Sequence, residues 1–126
     1  MNIESTLPTI GQLERTVAQS VQKLLRQQLG IKPTRVFCKI LREQITIIAE
    51  NTVSNVEKIL IENDQLVLAN QMRNQACQTI KPQIKELITS VVGVPTQDLL
   101  CDTVLETGYL GIVVILAQTP EVRMRK

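Results

Sequence analysis

The stretch GVPTQDLLCDTVLETGYLGIVVIL, from Gly93 to Leu116, decides the fold. Gly93 ends a helical pattern, and Pro95 prevents that helix from resuming. Two strand-like runs follow, about Asp98 to Val104 and Tyr109 to Ala117, meeting at Glu106-Thr107-Gly108. The second run is apolar at both alternating sets of positions, with Ile112, Val114 and Leu116 on one and Val113 and Ile115 on the other. That is the pattern of a strand covered on both sides. Helices are expected on one side. A second copy of the chain is expected on the other, because two long helices in a small domain do not cover both, so the pattern predicts a homodimer.

Upstream, Asp64 to Val92 carries Leu68, Met72, Ala76, Ile80, Ile84, Leu87 and Val91 at steps of three and four, the mark of an amphipathic helix. The pattern crosses Pro82, which removes a hydrogen bond and crowds the preceding turn. A kink near Gln78, or two helices joined there, is expected. An earlier helix is predicted from Thr9 to Leu29, with Ile10, Leu13, Val17, Val21, Leu24 and Gln28 along one stripe, widened by Leu25 and Leu29. Its other face carries Gln12, Arg15, Gln19, Gln22 and Arg26, and Gly30 and Pro33 mark its end.

Between these helices, Arg35 to Leu41 and Gln44 to Ala49 read as a hairpin broken at Arg42-Glu43. Asn51 to Asn55 is turn-like. Ser54 followed by Glu57 has the spacing of a capping box, opening a short helix through Leu60 or Ile61. The long elements thus run α-β-β-α-β-β. The predicted class is α+β, one domain over residues 1–126, with a mostly antiparallel four-stranded sheet and two long helices on one face. The ordered core is placed at about 10–117 and a flexible basic tail at 118–126.

Composition restricts the chemistry. The 126 residues include no His and no Trp, one Tyr and one Phe, so the core must be aliphatic. A net charge of +2 is too mild for a nucleic-acid surface, although Lys32, Arg35, Lys39 and Arg42 line one edge. The Gly30-Ile31-Lys32-Pro33 loop lacks the second glycine of a GxxG loop, and no phosphate-loop signature occurs. Cys38, Cys77 and Cys101 are far apart and odd in number, which reads as small buried hydrophobes rather than a disulfide framework or a metal site. Free thiols, and the lack of a basic or apolar leader in Met1 to Thr6, predict a cytoplasmic protein.

The longest apolar run, Ile112 to Ala117, is far too short to span a bilayer. No acid–base pair is evident, so no catalytic residue, cofactor or metal site is expected, and the chain reads as non-enzymatic. A ligand or partner site is placed at Ser54, Glu57 and Lys58, at a helix start, together with Asp102 beside Cys101. Glu57 competes with an anion for the positive end of that helix, which makes capping the first reading of the motif.

An ordered series of motifs resembles the MpsC-like family of small bacterial proteins. It comprises Gly30-x-x-Pro33-x-x-Val36, Val53-Ser54-Asn55-Val56-Glu57-Lys58-x-Leu60, Lys81-Pro82-x-Ile84 with Leu87-Ile88 and Gly93, and Asp102 with Thr107-Gly108. The likeness spans about residues 10 to 117. This chain lacks the proline common in the family's Leu-Thr-Pro-x-Glu-Lys run, has Lys81 where Arg is common, and has Cys101 where Ser is common. The resemblance implies an accessory or regulatory role, through a protein partner, in a sodium-translocating, membrane-potential-generating system whose other components resemble ones linked to inorganic-carbon uptake. The protein would then lie at the membrane through that partner, using its first helix and an uncovered sheet face as contact surfaces. The alternative is a small-ligand or anion sensor with its pocket near Asn51 to Lys58 and Asp102.

Overall fold

A computed structural model describes residues 6–123. The elements are α1 (Ile10–Leu29), β1 (Arg35–Leu41), β2 (Gln44–Glu50), α2 (Asn55–Glu62), α3 (Leu66–Val92), β3 (Thr96–Val104) and β4 (Tyr109–Leu116). This is the α+β arrangement expected, with α2 as the short third helix. One four-stranded sheet has the order β1-β2-β4-β3, and every neighbouring pair is antiparallel. The two hairpins therefore meet through β2 and β4, and β1 and β3 form the edges.

Local chemistry sets the boundaries. Thr9 caps α1 through a reciprocal box with Gln12, and Gly30 ends the helix in the left-handed conformation at φ 65°. Gly93 ends α3 in the same way at φ 76°. The β1–β2 turn lacks glycine, and Arg42 itself adopts a φ of 56° there. The β3–β4 turn leans on the loop after β2. Gly108 has a φ of 83°, and a Cβ added there would lie 3.3 Å from the Asn51 Cα. Thr52 binds the Gly108 carbonyl through both its N–H and its hydroxyl, each at 2.9 Å. Only glycine meets both demands at that turn.

The core lies between the sheet and α1 and α3. Leu13, Val17, Val21 and Leu25 of α1 pack on alternating strand residues, among them Ile45, Ile47, Ile112 and Val114. Pro82 sits inside α3, which runs unbroken from Leu66 to Val92 rather than as two joined helices. The buried stripe of α3 is Ala69, Arg73, Cys77, Ile80, Ile84, Ile88 and Val92. It runs one residue later than the expected stripe except at Ile80 and Ile84. Leu68 and Met72 are exposed instead, because the inward position is taken by Arg73, whose charge is answered inside the protein.

Beyond β4 the chain makes contacts with the domain as far as Arg123. Pro120 is buried, Val122 packs on the core, and the Arg123 N–H donates to the Pro8 carbonyl at 2.8 Å. The end of the basic tail, residues 124–126, lies outside the described residues, as do residues 1–5.

Candidate functional site

Four buried polar residues, Thr52, Glu57, Arg73 and Thr103, form one network among the described residues. Arg73 is its hub. The Nη1 atom donates to the Thr52 and Thr103 hydroxyls at 3.3 and 3.2 Å. The Nη2 atom donates to the Thr52 carbonyl and to Glu57 Oε1, each at 2.5 Å. The guanidinium thus ties α3 to the loop after β2, to the start of α2 and to β3. A buried charge survives only when it is paired and hydrogen-bonded, and here both conditions hold.

Glu57 is the capping residue expected of α2. Its Oε1 accepts the Ser54 N–H at 2.8 Å, and the Ser54 hydroxyl accepts the Glu57 N–H at 3.2 Å. The same carboxylate oxygen serves the cap and the ion pair. Capping therefore fixes where Glu57 meets Arg73.

The four residues expected to form one site are divided among three places. Ser54 and Glu57 border a cavity of about 400 Å³ between the end of α1, the start of α2 and α3, with Leu29, Met72 and Ala76 as its apolar wall. Lys58 faces a different cavity of about 280 Å³, beside Asn51, Glu62 and Glu106. Asp102 lies exposed on the opposite face of the sheet, where its Oδ1 accepts the Thr103 N–H at 2.9 Å. Strand alternation explains the separation. Thr103, not Asp102, points inward and reaches Arg73. Arg73, Thr52 and Thr103 escaped the sequence reading. The available signal was an arginine in phase with Ala69, Cys77 and Ile80 on one helix face.

Two cysteines border the network. Cys77 is buried and is pulled down to about 7, first by a hydrogen bond from Cys101, with help from the Arg73 charge and against the cost of burial. Cys101 is pushed up by the same hydrogen bond and by burial. Cys38, on the core face of β1, is pushed up to about 12 by burial and by Glu14. Among the described residues, no three His, Cys, Asp or Glu side chains cluster as metal ligands.

The profile of one family, "Na+-translocating membrane potential-generating system (MpsC)", matches residues 9–118. The chain belongs to the MpsC family. The matched span runs from the cap of α1 to just beyond β4, so it includes the whole sheet and the Arg73 network. No curated protein and no solved structure matches the chain. Among the described residues, no helix of this MpsC member is long and apolar enough to cross a membrane.

Proposed function

We propose that this MpsC protein is a non-enzymatic accessory or regulatory component of a Na+-translocating, membrane-potential-generating system, and that it acts by binding a protein partner. The observation that carries this reading is the family match, which covers nearly the whole chain. The surface chemistry supports it. Val56 and Ile59 of α2 and Val67 and Leu68 at the start of α3 are exposed apolar side chains, the residue type that docking surfaces use. The outward face of α1 is polar, with Gln12, Arg15, Gln19, Gln22 and Arg26 all exposed, so α2 and the start of α3 form the better partner surface. The partner is a membrane subunit of the same system, which the protein meets from the cytoplasmic side.

The alternative is a small-ligand or anion sensor using the cavity beside Ser54 and Glu57. An anion is disfavoured there, because both Arg73 Nη atoms are already bonded to protein oxygens and the Glu57 carboxylate stands at the wall.

Deleting the gene should abolish the Na+-dependent component of the membrane potential, read with a voltage-sensitive dye in cells shifted between sodium and potassium media. The intact chain should restore it. A folded Ile59→Asp/Leu68→Asp variant should not. An unchanged sodium response in the deletion strain would refute the proposal.

A further inference from the structure

The sheet face away from the helices is built from four aligned rows. From β1 to β3 they read Arg35, Glu50, Tyr109, Val104; then Phe37, Ile48, Gly111, Asp102; then Lys39, Thr46, Val113, Leu100; then Leu41, Gln44, Ile115, Asp98. The open face of an antiparallel sheet is ordinarily polar. This one exposes Leu41 at 68%, Leu100 at 62%, Tyr109 at 51%, Val104 at 49% and Phe37 at 47%. Ile48, Val113 and Ile115 lie between them on the two central strands.

Charge on this face is divided by edge. The β1 edge carries Arg35 and Lys39, and the β3 edge carries Asp98 and Asp102. Arg35 is engaged within the chain, 3.4 Å from Glu50 and 4.7 Å above the Phe37 ring. Lys39, Asp98 and Asp102 form no ion pair among the described residues.

We propose that a second copy of this chain covers the sheet face, through a two-fold axis running along the strands between β2 and β4. Two sheets packed with aligned strands have an axis either along the strands or across them. An axis across them sets β1 on β1 and β3 on β3, opposing like charges. An axis along them sets β1 of one copy over β3 of the other at the same row. Lys39 then lies level with the partner's Leu100, between the partner's Asp98 and Asp102, which are about 7 Å to either side by strand geometry. A lysine side chain spans that distance.

The same symmetry accounts for Gly111. This glycine occupies a central strand without a positive φ, and a Cβ added there would meet only the Ile48 side chain at 3.7 Å. Glycine inside a strand weakens it and often marks a close approach of another surface. With the axis between β2 and β4, Gly111 opposes the partner's Ile48, so a large side chain enters the notch twice. The inference concerns the opposite side of the molecule from the membrane-partner surface and stands independently of that reading.

Sedimentation equilibrium of the purified full chain tests it. The wild type should be a dimer. Lys39→Asp and Asp102→Lys should each raise the dimer Kd by about tenfold or more, since each reversal acts at two symmetric contacts. The double reversal K39D/D102K should return Kd to within about threefold of wild type. Circular dichroism should show all variants folded. A wild-type monomer, or a dimer indifferent to the single reversals, would overturn the proposal. Single reversals that weaken the dimer without rescue by the double would overturn the axis. The purified chain needs no membrane partner here, so a failed dimer and a failed sodium linkage are separate results.

Discussion

Arg73→Met should lower the free energy of unfolding by about 3–5 kcal/mol, measured by urea denaturation of the purified chain. The side chain is 3% exposed, so hydrophobic volume alone would suit the methionine. The cost lies in what remains. Glu57, 5% exposed, is left buried without its counter-ion, and the Thr52 carbonyl loses a charged donor. Removing one partner of a buried pair is far more costly than removing both. Arg73→Met combined with Glu57→Leu should therefore be more stable than Arg73→Met alone, despite losing the reciprocal half of the Ser54 cap, worth about 1 kcal/mol. If Arg73→Met unfolds at the wild-type urea midpoint, the network does not hold α2 and β3 to α3.

Val114→Glu should leave no folded protein at room temperature. Val114 is fully buried, pairing with Ile45 on β2 and Leu99 on β3 beneath the helices. An unpaired carboxylate there costs several kcal/mol, beyond the loss of packing, against a total stability of about 5–15 kcal/mol. Val113→Glu, one residue away, places the same charge on the open face. It should keep the far-ultraviolet circular dichroism of the fold while disrupting the proposed sheet-face dimer. A folded Val114→Glu chain, or an unfolded Val113→Glu chain, would reverse the assigned faces of β4.

The contrast between Val113 and Val114 shows how much of the fold was legible beforehand. The run from Tyr109 to Leu116 announced a central strand, because it has no polar face at all. Gly30 and Gly93 marked the helix ends within a residue, since a left-handed C-cap is a local requirement. The Ser54–Glu57 box was equally local and formed as read. The pairing of β2 with β4 was not legible, because it joins hairpins separated by two helices and no short-range signal encodes it.

The candidate site was less legible than the fold. Glu57 was found for its role in the cap, but its charge is answered by Arg73, sixteen residues later on another helix. An apolar stripe drawn through Leu68 and Met72 hides a buried arginine by construction. The helix instead turned Arg73 inward, because Thr52, Glu57 and Thr103 together satisfy it. Asp102 drew attention as a carboxylate in a strand, yet alternation set it on the open face and its neighbour Thr103 in the network. Chemistry-bearing residues met across long separations, where spacing along the chain carries no information.

The central claim is that this MpsC protein works by binding a membrane subunit of a Na+-translocating system. Affinity purification of a tagged full chain from gently solubilised native cells, with the recovered proteins identified and quantified by mass spectrometry, tests it most directly. The account predicts membrane subunits of that system in stoichiometric amounts, and their loss from the Ile59→Asp/Leu68→Asp variant. Recovery of the chain with only copies of itself would contradict it.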